Sequence, residues 1–407
     1  MASSSLHVDS AAVHAGRDDL AGLGVHALPI DLSSTNPLPD VELGGHSYEV
    51  LAGGGHPPAD GSSVYARLWN PTVARFEKGL ARLEGGADAV AFASGMAAVT
   101  AALLTLTSAH RRHIVAVRPL YGGTDHLLAS GLLGTTTTFC APERIASSVR
   151  TDTAAVFLET PANPTLELVD IADAVAQADG VPVVVDNTFA TPVLQRPLAH
   201  GAAMSLHSAT KYIGGHGDAV GGVIACDDDL ATALRRTRAI TGGILHPMAA
   251  YLLHRGLPTL PTRVRVQQST AHEVAAWLTT HPAVERVHHP SLPGADPSGL
   301  IGRQMHGPGA MIGVVLTGGF PVAAALTTAV SLFTHAVSLG GVDSLIQHPA
   351  ALTHRPVTAE ARPSEALVRL SIGLENAADL IADLDRALSG AARQVPSPAG
   401  AGTRVRP

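Results

Sequence analysis

This sequence predicts an α/β fold, with a largely parallel sheet in a large domain followed by a smaller α+β domain. Short apolar runs, among them His113–Arg118, Ala154–Glu159, Val181–Asp186, Met204–Ser208 and Ala219–Cys226, alternate with helix-length stretches. Apolar runs of that length are what strands look like when helices bury both faces of a sheet. Three of the runs end in polar clusters: Glu159-Thr-Pro-Ala-Asn163, Asp186-Asn-Thr and His207-Ser-Ala-Thr-Lys211. Parallel sheets bind ligands at the carboxyl ends of their strands, so these clusters are the first places to look for chemistry.

Taken in order, residues 1–60 are rich in Gly, Pro, Ser and His with weak periodicity, and read as an extended N-terminal arm. Residues 72–84 are helical in pattern and stop at Gly85-Gly86. The strand-and-helix alternation places the large domain at 61–260. The stretch Arg235–Leu278 reads as helices punctuated by Pro247, Pro258 and Pro261. A C-terminal domain of short strands and helices is expected over 261–390, ending in a helix at Ala377–Leu388. The tail, 391–407, is rich in Pro, Gly and Arg and is expected to be disordered.

Composition narrows the function. A formal net charge of −7 argues against nucleic acid or an anionic membrane as the main partner and favours a small-molecule substrate. No stretch is long and apolar enough to span a bilayer. With Cys140 and Cys226 as the only cysteines, a disulfide framework is excluded and a reducing cytoplasm fits. The 21 histidines form no metal-binding pattern, and no metal site is expected.

Of the 27 lysines and arginines only two are lysine, Lys78 and Lys211. A lysine retained against that bias points to a task arginine cannot perform. The foremost is nucleophilic amine chemistry, since a guanidinium stays protonated while an ammonium can lose its proton. Lys78 sits in an amphipathic helical stretch and reads as part of a solvated face; Lys211 does not. Upstream, Asp186 closes a strongly apolar strand. Such a carboxylate either caps the next turn or faces a cation, such as the protonated pyridine nitrogen of pyridoxal 5′-phosphate (PLP). Ser208 and Thr210 flank Lys211 with hydroxyls suited to a phosphate. Ala93-Ser94-Gly95-Met96 opens a helix whose amides suit the same anion, although Ser-Gly is also an ordinary turn. Tyr121, after the strand at 113–118, either stacks on a flat cofactor or fills the core.

These motifs resemble the Cys/Met-metabolism family of PLP enzymes, which includes cystathionine γ-synthase, cystathionine γ-lyase, methionine γ-lyase and O-acylhomoserine sulfhydrylase. The likeness runs from about residue 10 to 388. It is carried by Tyr65-Ala-Arg67-Leu-Trp-Asn70-Pro71-Thr72, Ala93-Ser-Gly-Met, Tyr121-Gly-Gly-Thr, Glu159-Thr-Pro-Ala-Asn163-Pro, Asp186-Asn-Thr and Ser208-Ala-Thr-Lys211-Tyr with Gly-His-Gly-Asp. Ser338-Leu-Gly-Gly-Val-Asp343, His348-Pro and Arg369-Leu-Ser-Ile-Gly complete it. The resemblance implies the PLP-dependent transferase fold type I, like that of aspartate aminotransferase. It also implies that Lys211 forms the Schiff base, Asp186 meets the pyridine nitrogen and Tyr121 stacks on the ring and shuttles protons. Gly95, Met96, Ser208 and Thr210 would hold the phosphate. Arg369 would clasp the substrate carboxylate with help from Ser338 and Asn163. Tyr65 and Arg67 resemble a pair donated to a neighbouring subunit, which implies shared active sites and a homotetramer built from dimers.

The reaction implied is γ-elimination or γ-replacement on a sulfur-containing or homoserine-derived amino acid. Cystathionine γ-lyase or γ-synthase chemistry is the first expectation. Methionine or homocysteine γ-lyase, O-acylhomoserine sulfhydrylase and cystathionine β-lyase are the alternatives. The departures pull in different directions. Gly123 stands where methionine γ-lyases usually carry cysteine, which favours the cystathionine enzymes. Val64 stands where cystathionine γ-lyases are often acidic, which favours an uncharged γ-substituent. Asp343 replaces a usual glutamate, Gly217 a common serine, and Trp69 is bulky for its position. A PLP-fold regulator without turnover is the reading from another class; the chain shows no helix-turn-helix or basic module to support it.

Overall fold

The computed structural model describes residues 6–394. Its centre is a seven-stranded sheet made of β1 (Asp88–Phe92), β2 (His113–Val117), β3 (Thr136–Cys140), β4 (Thr153–Glu159), β5 (Val183–Asp186), β6 (Met204–Ser208) and β7 (Gly222–Cys226). The strand order is β1-β7-β6-β5-β4-β2-β3. Neighbours from β6 through β3 pair in parallel, while β7 runs antiparallel to both β6 and β1. Alternate residues of β1 show why these strands lack an amphipathic pattern. Ala89 and Ala91 belong to one apolar cluster and Val90 and Phe92 to another, so both faces are buried. A second sheet is made of β8 (Val284–His288), β9 (Met311–Leu316), β10 (Thr334–His335), β11 (Leu345–Gln347) and β12 (Leu367–Ser371), in the order β10-β11-β12-β9-β8. The fold class is the one the sequence predicts.

Helices follow the local chemistry. Helix α1 (Val8–His14) and α2 (Val41–Ala52) lie within the stretch read as an extended arm. In α2 the N-cap is Asp40, whose carboxylate accepts from Leu43 N at 2.7 Å, whereas Gly44-Gly45 in its interior hides the helical pattern. Helix α3 (Pro71–Glu84) begins with proline behind the Asn70 cap and ends at Gly85 in the left-handed conformation. Helix α4 (Gly95–Leu106) is capped by Ser94 Oγ, which accepts from Ala97 N at 3.1 Å. Helix α5 (Gly122–Ser130) starts at Tyr121 with no side-chain cap of its own. The C-terminal helix runs Ala377–Gln394 with Ala391 buried, which corrects the expectation of disorder for its last turn. The small apolar alanines at 387 and 391 give that turn a face to pack. The rest of the expected tail lies outside the described residues. No helix among the described residues is long and apolar enough to cross a membrane.

Candidate active site

The carboxyl ends of β4, β5 and β6, the start of α4 and the turn into α5 open on one cavity of about 290 Å³. The second sheet closes it with Ser338 and Arg369. Ten of the twelve residues expected at the site line it: Gly95, Met96, Tyr121, Asn163, Asp186, Ser208, Thr210, Lys211, Ser338 and Arg369. Tyr65 and Arg67 do not. The guanidinium of Arg67 lies 5.8 Å from the Tyr65 ring centroid and donates to Ala239 O at 2.7 Å, while the Tyr65 side chain is exposed.

Lys211 follows β6 directly, and its Nζ reaches across to the second sheet to donate to Ser338 Oγ at 3.0 Å. Burial, reinforced by the nearby Arg369 guanidinium, lowers its ammonium to about 8. The free amine is therefore accessible near neutral pH. Asp186 closes β5. Its Oδ1 accepts from Thr188 N at 3.0 Å and from Thr188 Oγ1 at 2.5 Å. Burial nevertheless raises its carboxyl above the usual range, against the Thr188 bonds. A buried carboxylate at a cavity wall, with hydroxyl and amide donors but no direct ion pair, suits a cation delivered by a ligand.

The phosphate end is built by close approach. A methyl group on Gly95 would sit 2.9 Å from Ser208 Cβ, so only glycine lets the α4 N-terminus meet the end of β6. The amides of the first turn of α4 then face the same space as Ser208. Thr210 Oγ1 exchanges hydrogen bonds with Gly221, 3.2 Å to its carbonyl and 3.0 Å from its amide, so that hydroxyl also holds the local turn. An amine, a buried carboxylate and an anion-binding helix end in one cavity fit PLP.

Arg369 lies on β12, buried, with its fork held rigid. Nη1 donates to Asn163 Oδ1 at 3.0 Å and Nη2 to Ser338 O at 2.9 Å. With its amide oxygen turned inward, Gln347 accepts from Nη2 at 3.0 Å. This arrangement presents a planar cation to a carboxylate. Among the described residues no cluster of His, Cys, Asp or Glu is arranged to hold a metal ion.

Reading the sequence missed three participants: Thr188, which grips Asp186; Gln347, which braces Arg369; and Glu159, the last residue of β4. Glu159 Oε2 accepts from Tyr121 N at 2.8 Å. Its neighbour across the parallel pair is Asp186, and burial together with that second carboxylate raises Glu159 well above the usual range. The signal was available, because Glu159 heads a polar strand end, but its partner is set by strand register.

The family model described as Cys/Met metabolism PLP-dependent enzyme matches residues 9–389. An L-methionine gamma-lyase of Brevibacterium sandarakinum is 60% identical over 385 residues, covering 94% of this chain and 98% of that protein. An L-methionine gamma-lyase of Streptomyces avermitilis is 52% identical over 400 residues, covering 97% and 92%. Among solved structures, a cystathionine gamma-lyase from Micromonospora echinospora superposes with a TM-score of 0.85 at 39% identity, covering 95% and 100%. The cofactor is PLP, the fold is type I, the substrate is a small molecule of the amino-acid class, and the enzyme is a lyase of the γ type. The chain belongs to the Cys/Met-metabolism family of PLP-dependent enzymes.

Proposed function

We propose that this enzyme is a methionine γ-lyase, converting L-methionine and water to methanethiol, 2-oxobutyrate and ammonia. One observation in the cavity carries the choice. Among the described residues its only carboxylates, Glu159 and Asp186, are both buried and both engaged by backbone or hydroxyl donors. The distal ammonium of cystathionine therefore finds no free counter-charge in the lining this chain supplies. Val220, Val337 and Leu339 offer apolar contact instead, which suits a thioether. The printed names of the 60% and 52% identical relatives support the same substrate, so the order expected from sequence, cystathionine first, is reversed.

PLP, when bound, supplies the electron sink for negative charge developing at Cα and then Cβ. The residues divide the remaining work. Arg369 binds the α-carboxylate through its braced fork, with Asn163 and Ser338 fixing that fork. Lys211 Nζ would hold the cofactor covalently and, once the substrate amine has displaced it, would serve as the base that takes the Cα proton and then a Cβ proton. Tyr121 stacks on the ring, and its hydroxyl protonates the departing thiolate sulfur. Asp186 would keep the pyridine nitrogen protonated, while Gly95, Met96, Ser208 and Thr210 would hold the phosphate.

The assembly proposed is a homotetramer of dimers with shared sites. Tyr65 and Arg67 stand away from their own cavity, and the surrounding arm exposes Leu32, Leu38 and Val41, the last 90% exposed. A face of that kind calls for a partner, and a second copy of the chain supplies one. Free Cys140 and Cys226 suit the reducing cytoplasm.

The deciding experiment offers the PLP-loaded enzyme L-methionine and L-cystathionine separately and identifies the products. Methanethiol with 2-oxobutyrate from methionine, at a kcat/KM well above that for cystathionine, is expected. Preferential release of cysteine from cystathionine would overturn the proposal.

A further inference from the structure

We propose that Glu159 is a positioning residue of this active site: its carboxyl ties the turn that carries Tyr121 to the strand neighbouring Asp186, and thereby sets the Tyr121 ring over the cofactor. The proposal rests on the PLP reading above, not on the choice of methionine.

The geometry comes from three elements. Glu159 ends β4 directly opposite Asp186 at the end of β5, and in a parallel pair both side chains leave on the same face, into the same cavity. Glu159 Oε2 accepts from Tyr121 N at 2.8 Å. Tyr121 is the N-cap residue of α5 and has no side-chain cap of its own. Glu159 therefore supplies, from another strand, an acceptor that this helix start lacks locally.

On the other side the turn has no freedom to compensate. A methyl group on Gly122 would overlap the Thr353 carbonyl, so backbone already presses against backbone there. Tyr121 is thus held between a fixed wall and one side-chain hydrogen bond. Its own side chain is 39% exposed, so little packing restrains the ring once that bond is gone.

The acceptor role decides which replacement should work. Burial and the neighbouring Asp186 carboxylate raise the Glu159 carboxyl, so its part here is that of an acceptor rather than of an ion-pair partner. An acceptor for a backbone amide is closely matched by glutamine and not by alanine.

The test compares Glu159→Gln, Glu159→Ala, Tyr121→Phe and the Glu159→Ala/Tyr121→Phe double variant, each with its cofactor content measured. A misplacement of about 1 Å can lower the rate about a hundredfold, so Glu159→Ala should lose roughly ten- to hundredfold in kcat, with KM moving far less. Glu159→Gln should recover all but about threefold of that loss. The visible circular dichroism of the bound cofactor, recorded without substrate, should change in Glu159→Ala and Tyr121→Phe but not in Glu159→Gln. In the Tyr121→Phe background, Glu159→Ala should cost no more than about a further threefold, because the two act through one ring.

Three results would overturn the proposal: Glu159→Ala with normal dichroism and kcat, Glu159→Gln as impaired as Glu159→Ala, or fully multiplicative losses in the double variant. If Glu159→Ala does not fold, Glu159→Asp replaces it, since its carboxyl falls one methylene short of Tyr121 N. It must then show the altered dichroism that Glu159→Gln lacks. A parent enzyme inert towards methionine would sink the substrate assignment, while the dichroism comparison would still decide the role of Glu159.

Discussion

Replacing Arg369 with lysine keeps the charge and removes the fork, which isolates the geometric part of carboxylate recognition. In the structure the guanidinium serves Asn163 Oδ1 at 3.0 Å, Ser338 O at 2.9 Å and Gln347 at 3.0 Å, and the residue is 3% exposed. A lysine ammonium has one nitrogen to place. It can face the substrate carboxylate or the bracing acceptors, and cannot do both with planar, paired donors. One charge-assisted hydrogen bond to the substrate is lost, worth about 1.5–3 kcal/mol. At about 1.4 kcal/mol per factor of ten, that corresponds to roughly a ten- to hundredfold fall in kcat/KM. The loss should appear mainly in KM, because the carboxylate is bound before the reaction and after it alike. Steady-state release of 2-oxobutyrate from methionine measures both constants, and cofactor absorbance confirms that PLP is retained. A fall smaller than about threefold, or one confined to kcat at unchanged KM, would refute the argument that a braced fork recognises the carboxylate.

Two further outcomes follow from the same site. Because burial holds the Lys211 ammonium at about 8, the rate at which apoenzyme captures PLP should rise as pH increases through about 8 and level off above it. The ammonium below that pH cannot attack the aldehyde, and a midpoint near the ordinary lysine value of about 10.4 would contradict the assigned environment. Mixing inactive Lys211→Ala with Tyr65→Phe subunits should restore activity, up to about a quarter of the intact level for random dimers, since each hybrid regains one complete site. No gain over the two separate variants would place Tyr65 within its own subunit's site.

Much of the site is readable along the chain because its residues sit where apolar runs stop. Met204–Ser208 coincides with the strand expected, and Lys211 stands out through the scarcity of lysine alone. What stays hidden depends on neighbours distant in sequence. Glu159 acquires its meaning only through the register that sets it opposite Asp186. Gln347 acquires its meaning only by meeting Arg369 across β11 and β12. Helix α2 escapes because Gly44-Gly45 interrupts its pattern, while packing supplies the reason for one of them: a methyl group on Gly44 would lie 3.0 Å from Leu38 Cδ1. Trp69, unexplained by sequence, stacks edge-on to His56 with ring centroids 4.9 Å apart and packs against a small cluster of Leu51, Leu68 and Ala239.

Gly123 and the names of the relatives point in different directions. Set against methionine γ-lyases with cysteine at this place, its glycine favours cystathionine, yet relatives at 60% and 52% identity are named for methionine. The structure supplies a reason unconnected with the γ-substituent. A methyl group on Gly123 would lie 2.7 Å from Tyr121 Cε1 and 3.3 Å from Met96 Sδ, so the ring of Tyr121 occupies the space a side chain would need. A side chain at 123 would therefore require the Tyr121 ring to shift. Val64 carries information of another kind, because it belongs to no wall of the cavity in its own chain. It is half-buried, with φ at 55°, a conformation β-branched residues rarely adopt, directly before the exposed Tyr65. Strain of that sort is retained where the surroundings demand it. Here Val64 packs against the small cluster of Leu51, Leu68 and Ala239 in its own chain.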